Sequence, residues 1–341
     1  IVDKQNVLVD YVTYRRFKKV SLAKPILDGN ETKYLLDCLK SGWISSTGKY
    51  LDLFTKKFEK FTKLKNCLPV SNGTVALQLA LKALNINKGD EVIVPDLTFA
   101  SPVNAVIHNG SIPVFCDINL KNNCIDENKI KKLISKKTKA IIIVHLYGHS
   151  ANIKPIVKIA KRNNIKIIED CAEAIGTEYQ KKHVGSLGDA STFSFFGNKT
   201  LTTGEGGMIS LKSKKNYKRA IILRDHGMSK TKKYWHDEIG FNFRLTNLQS
   251  AIGCAQMEKA KKLIDSKRQL AQHYKKYFSK MPFFKIPQQE HYCKHSYWLY
   301  TPKLNSNYSN SKHELIRFLN LKGFEVRNVF YPMSKMKIYK K

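Results

Sequence analysis

Short apolar runs alternate with stretches of helical spacing through the first two thirds of the chain. The runs at 91–95, 112–116, 140–146, 165–169, 190–196 and 208–211 have strand length, and most are rich in Ile or Val. Between them, 75–84, 101–109, 128–134 and 153–163 repeat apolar residues at helical intervals, as do 30–39 and 49–63 ahead of the first run. This alternation predicts an α/β fold: a mainly parallel mixed sheet flanked by helices on both faces. In such sheets ligands sit at the carboxyl ends of the strands. A long helical pattern starts at 248, behind Thr246 as a candidate N-cap. From 282 the pattern changes to a smaller α+β arrangement, with a strand at 297–302, a helix at 311–321 and a strand at 324–329. The polar, basic segment 226–236 reads as a mobile loop.

Three segments carry candidate chemistry, two at the ends of predicted strands and one at the start of a predicted helix. The aromatic alternation Thr192-Phe193-Ser194-Phe195-Phe196 runs into Gly197-Asn198-Lys199, followed by the glycine-rich Gly204-Glu205-Gly206-Gly207. A lysine walled by aromatics is partly desolvated, which favours the nucleophilic amine over the ammonium. Ser194 points to the opposite face from Phe193 and Phe195. The second segment, Ile165-Lys166-Ile167-Ile168-Glu169-Asp170, is an apolar strand ending in acids. An acid there is placed to pair with a protonated heterocycle. The third, Ser71-Asn72-Gly73-Thr74, opens a helix, where free N–H groups and the helix dipole suit a phosphate. In that order the segments supply a phosphate cradle, a partner for a pyridinium nitrogen and an amine for an aldehyde, which is the chemistry of pyridoxal phosphate (PLP).

Composition narrows the alternatives. No apolar stretch approaches the ~20 residues of a membrane span, and no signal-peptide pattern opens the sequence. The seven cysteines are odd in number and lack metal-ligand spacing, so neither a disulfide framework nor a metal site is expected. Both points lead to an expected cytoplasmic location without membrane contact. The formal charge of +33 raises the question of nucleic-acid binding. The lysines are dispersed, however, and no nucleic-acid-binding motif accompanies them.

The segments SNGTVALQLAL, EVIVPDLTFAS, VHLYGH, EDCAEAIGT, TFSFFGNKTLTTGEGGM and FNFRLTNLQSAIG together resemble the DegT/DnrJ/EryC1/StrS sugar aminotransferases, most closely the enzymes making viosamine- and perosamine-type sugars. The resemblance implies a fold type I PLP aminotransferase: an N-terminal arm (1–24), a large PLP-binding domain (25–247) and a small C-terminal α+β domain (248–341). It implies that Lys199 holds PLP and moves the proton, and that Asp170 pairs with the ring nitrogen. Gly73, Thr74 and Ser194 then meet the phosphate, Phe99 stacks on the ring, and Glu173 approaches its phenolic side. Asn242 reaches the phosphate of the neighbouring subunit, so the sites of a homodimer are shared. Trp43, Ser45, Arg327 and Tyr331 bound the substrate site. The implied partners are L-glutamate and a nucleotide-linked 4-keto-6-deoxyhexose, aminated at C4. Amination at C3 is the alternative within the family, and a regulatory or nucleic-acid-binding role the alternative outside it. A sister reaction, C3 dehydration, uses a histidine where this chain has Lys199. Relatives continue past the region of Pro332 with another helix, so a further element is expected beyond Lys341.

Overall fold

The computed structural model describes residues 2–8, 19–306, 308 and 311–340. Part of the predicted arm, residues 1 and 9–18, therefore lies outside the described residues.

Two helices lead in, α1 (Glu31–Ser41) and α2 (Lys49–Thr62), followed by β1 (Cys67–Val70) and α3 (Gly73–Ala83). Then come β2 (Glu91–Pro95), α4 (Ala100–His108), β3 (Ile112–Cys116), β4 (Thr138–Val144), α5 (Ile153–Arg162) and β5 (Lys166–Asp170). After a small hairpin, β6 (Glu178–Tyr179) and β7 (Lys182–His183), the chain returns through β8 (Ala190–Ser194), β9 (Gly207–Leu211) and α6 (Lys214–Arg224).

The main sheet has the order β1-β9-β8-β5-β4-β2-β3. β3, β2, β4, β5 and β8 run parallel, and β9 pairs antiparallel with both β8 and β1. Ile141, Ile142, Ile143 and Ile168 are fully buried, as expected where helices cover both faces of a parallel sheet. On one face, α2 repeats Tyr50, Phe54, Phe58 and Thr62 every fourth residue, and all four are buried. Phe54 meets Phe195 and Phe58 meets Phe193 edge to face, with centroids 5.1 and 4.9 Å apart. Those contacts fix which face of β8 looks inward.

The long pattern from 248 is two helices, α7 (Asn247–Glu258) and α8 (Ala260–Phe278). Thr246 caps α7 in a reciprocal box with Gln249. The offset falls at Lys259, whose amino group pairs with Asp28 and Glu31. Helix α7 lies across α1 and α2. A Cβ on Gly253 would come within 2.8 Å of the Phe54 ring, so a glycine is needed for that approach.

Three predicted elements differ. Residues 128–134 form only a 3-10 turn, Ile130–Leu133, because the Asp126 side chain takes the Asn128 amide and competes with helix initiation. Residues 297–302 are not a strand. Tyr297 has φ 52°, and pairing begins only at β12 (Lys303–Leu304), against β10 (Phe284–Lys285). Residues 324–329 reduce to one bridge between Phe324 and Val20. The C-terminal part also holds β11 (Cys293–Lys294), paired with β6, and α9 (Lys312–Leu321), capped by Ser311. Residues 226–236 close as a hairpin-like turn, with Met228 bridging His236 and Ser229 N donating to Trp235 O at 2.7 Å. No helix among the described residues is long and apolar enough to cross a membrane.

Candidate active site

Because Phe193 and Phe195 are drawn into the core, Ser194 faces the other way, onto the start of α3. A Cβ on Gly73 would stand 2.9 Å from the Ser194 Cβ, so only glycine permits this contact. Asn72 caps α3 by accepting from Val75 N at 3.0 Å. The amides of Gly73 and Thr74 have no acceptor among the described residues, as the first turn of a helix allows. Thr74 Oγ1 bonds Ser101 Oγ at 2.8 Å. These donors form a concave, electropositive corner between α3 and β8.

Asp170 closes β5 beside that corner and is buried. Its Oδ1 accepts from Ala172 N at 3.0 Å, and no donor among the described residues reaches Oδ2. Burial raises its pKa, against the pull of the Ala172 amide, Lys199 and His145. A cation brought to Oδ2 would offset that cost. Its neighbour Glu169 is also buried but is held down: His145, Gly185 N, Leu187 N and Gly188 N, all within 3.0 Å, saturate the carboxylate. With its lone pairs taken, Glu169 ties the strand end to the loop at 185–188.

Lys199 Nζ lies 3.7 Å from Glu173 Oε1 and 3.9 Å from the ring centroid of Trp298. Glu173 is buried, and its Oε2 accepts from Tyr147 N at 2.8 Å. Burial pushes its pKa up to about 7, outweighing the nearby Lys199 charge. Tyr147 adopts φ 54°, and its ring stacks on Phe330 at 5.4 Å. Phe330 in turn lies 5.7 Å from Phe99, which is 57% exposed. Trp298, Tyr147, Phe330 and Phe99 thus form an aromatic arc leading from the lysine to the surface. The arc's outer end is fastened to the strand β2 exit by Ser334, which donates to both oxygens of Asp96.

Trp298 is absent from the sequence-derived candidates. Its segment resembles a strand, and only tertiary contacts reveal its place. Gly148, at φ 97°, admits the backbone of 296–298 so closely that a Cβ there would lie 2.7 Å from Ser296 Oγ. Tyr147 lies in the VHLYGH segment and Phe330 adjoins the candidate Tyr331, but neither was assigned a place beside Lys199.

The structure gathers Gly73, Thr74, Asp170, Glu173, Ser194 and Lys199, and links Phe99 to them through the arc. The remaining candidates have other partners. Trp43 is exposed, and its carbonyl accepts from Asn247 Nδ2 at 2.6 Å. Ser45 O accepts from Asn247 N at 2.5 Å. Arg327 pairs with Glu325, and Tyr331 is exposed beside Phe330. Asn242 is exposed, and its Oδ1 accepts from Arg244 Nε at 3.1 Å. Its neighbour Phe243 receives the Ser71 amide, so this segment borders the start of α3.

PLP fits the gathered set: free amides and Ser194 for a phosphate, an open carboxylate oxygen for a ring nitrogen, and an amine for an aldehyde. A profile of the DegT/DnrJ/EryC1/StrS aminotransferase family, whose members depend on PLP, matches residues 25–341. The GDP-perosamine synthase of Vibrio cholerae is 43% identical over 94% of this chain and 87% of its own. The Helicobacter pylori aminotransferase PseC, involved in the biosynthesis of pseudoaminic acid, superposes with a TM-score of 0.90 at 29% identity, covering 95% of this chain and 88% of that one. A putative sugar aminotransferase from Streptococcus pneumoniae in its PLP form gives 0.88 at 25% identity, covering 94% and 87%. With the family pattern spanning nearly the whole chain, this protein belongs to the DegT/DnrJ/EryC1/StrS aminotransferase family.

Proposed function

We propose that this protein transfers an amino group from L-glutamate to C4 of a GDP-linked 4-keto-6-deoxyhexose, giving a perosamine-type 4-amino-4,6-dideoxy sugar. The observation that carries the reading is the buried Asp170, with one oxygen open, in the same pocket as Lys199. The similarity to a GDP-perosamine synthase supports the nucleotide and the position of amination.

When bound, PLP supplies an aldehyde that joins amines and a ring that withdraws electrons from the adjoining carbon. Lys199 Nζ would hold the cofactor through its aldehyde carbon, and the same amine, when free, would be placed to take a proton from the carbon adjoining the ring and to give it back. Asp170 keeps the ring nitrogen protonated. Gly73 N, Thr74 N and Ser194 hold the phosphate at the positive end of α3. Phe99 offers a flat apolar face to the ring, and Tyr147 and Trp298 keep water from the lysine. Glu173 adjoins the ring's phenolic side. Trp43, Ser45, Arg327 and Tyr331 contact the sugar nucleotide when it is present.

The working unit in this reading is a homodimer with Asn242 crossing into the partner's phosphate corner. The exposed Trp43, Ile44, Phe99 and Phe196 support a covered surface near the site. Seven unpaired cysteines support a cytoplasmic setting. The direct test is spectroscopic: the visible absorbance of the PLP-loaded protein should fade on addition of L-glutamate and return on addition of the keto-sugar nucleotide. No response to glutamate would contradict the proposed amino donor.

A further inference from the structure

Two glutamates flank Asp170, one residue before it and three after it, and their surroundings are opposite. Glu169 is filled by three backbone donors and His145, and its pKa is lowered. Glu173 has one backbone donor, on Oε2, and turns Oε1 toward Lys199 Nζ. We propose that Glu173 is the proton acceptor for Lys199, taking the proton this lysine must lose before its amine can attack an aldehyde and giving it back when the lysine is recharged. This rests on the function proposed above.

The geometry restricts the exchange to this pair. Tyr147 N fixes the carboxyl group from behind, and Tyr147 is itself held by the bond its hydroxyl accepts from Phe330 N at 2.9 Å. At 3.7 Å the Oε1–Nζ separation is an ion-pair distance that one small side-chain movement closes to a hydrogen bond. Asp170, the other carboxylate in the pocket, has no ion pair with Lys199 within 4.0 Å, whereas Glu173 does. The ionisable groups facing Glu173 are Lys199 from the β8–β9 loop, Asp170 from β5, Tyr147 from the loop after β4 and Cys124. His145 stands behind Asp170. Tyr147 and Cys124 are held neutral by burial, which raises both above their usual range.

The transfer balances within the pair. The Lys199 ammonium loses one proton and becomes a neutral amine, and the Glu173 carboxylate gains it and becomes a neutral acid. One positive and one negative charge vanish together, so the transfer itself creates no new charge in the buried pocket. Burial with Asp170 nearby places Glu173 at about 7, so both of its states are accessible at neutral pH. A glutamine would accept from Tyr147 N equally well but could not take the proton.

The test follows capture of PLP by the protein, not turnover. Apoenzyme is mixed with PLP between about pH 6 and pH 9, and the visible absorbance is followed by stopped flow. Borohydride reduction and peptide mapping check that the adduct is on Lys199, and equilibrium dialysis gives total PLP affinity. Wild type should show a capture rate that rises through an inflection near pH 7, where Glu173 ionises. Glu173→Gln should lose the inflection and fall by roughly a hundredfold at about pH 8, the usual worth of a positioned base, with affinity nearly unchanged. Glu173→Asp should recover the inflection and part of the rate, and it carries the test if the glutamine variant does not fold. A Glu173→Gln protein with the wild-type rate and inflection overturns the proposal while leaving the aminotransferase reading intact. A wild-type protein that forms no Lys199 adduct overturns both.

Discussion

The indole Nε1 of Trp298 donates to the carbonyl oxygen of Asn198 at 2.8 Å, and the same ring covers the amino group of the next residue, Lys199. A residue a hundred positions away thus fixes both the backbone and the side chain of the site lysine. Trp298→Phe keeps a ring over Lys199 but orphans the Asn198 carbonyl, at a cost of about 1–3 kcal/mol of stability. Trp298→Leu also removes the aromatic face, worth roughly 0.5–2 kcal/mol to a nearby cation. Denaturant unfolding should therefore show both variants destabilised. Turnover should fall further in the leucine variant than in the phenylalanine one. Equal turnover in the two would mean that the ring does not act on Lys199.

Asp170→Asn should cut turnover by several orders of magnitude without unfolding the protein. An amide of the same shape can occupy the site but cannot hold a proton on the ring nitrogen. Each tenfold loss corresponds to ~1.4 kcal/mol of barrier. Lys199→Ala should abolish turnover and the visible absorbance of bound PLP. Steady-state rates and far-UV circular dichroism check both; near-native rates in either variant contradict its assigned role.

His149 should make the fold acid-sensitive. It is buried, shares a 2.7 Å bond between Nδ1 and Ser150 O, and accepts from Glu290 N at Nε2, which requires the neutral ring. Burial lowers its pKa from 6.5 to about 4. Between those values the unfolded chain binds a proton that the folded protein does not, so stability rises with pH across that window. The contribution is complete above about pH 6.5 and lost progressively toward pH 4; integrated from about pH 7 to pH 5 it is about 2 kcal/mol. Urea unfolding at the two pH values should show His149→Gln losing that share of the pH dependence. An unchanged difference would show that His149 is already charged in the folded protein.

Shared sites predict complementation. In the proposed homodimer, Lys199→Ala and a bulky Asn242 substitution should each inactivate the protein when present in both chains. In a mixed dimer one site carries both defects and the other neither, so activity should return, up to about half of wild type per mixed dimer. With subunit exchange verified by mass, no recovery would place Asn242 within its own chain's site.

Much of this site was legible because its parts are local. Alternation in 192–196 already turned Ser194 away from the two phenylalanines, the strand ending at Asp170 marked an acid at a strand's carboxyl end, and Ser71-Asn72-Gly73-Thr74 marked a helix start. The sheet was legible for the same reason, through runs such as 140–146 whose Ile content suits double-sided burial. What could not be read depends on contacts distant in sequence. Trp298 reaches Lys199 only because Gly148 admits the backbone of 296–298, and Tyr147 serves Glu173 through an amide in a left-handed conformation. Neither leaves a periodic trace. The extended-looking segments at 297–302 and 324–329 have β-forming residues but too little neighbouring edge to pair with, so tertiary docking decided their shape.

The most direct test of the proposed function is an amination assay that offers GDP-, UDP- and dTDP-linked 4-keto-6-deoxyhexoses in parallel, with L-glutamate and PLP, and identifies the product by mass and NMR. The expected product is a 4-amino-4,6-dideoxy sugar, formed from the GDP-linked substrate at the highest kcat/KM, with 2-oxoglutarate released in equal amount. An amine installed at C3, or no amination of any of the three, would contradict the proposed function.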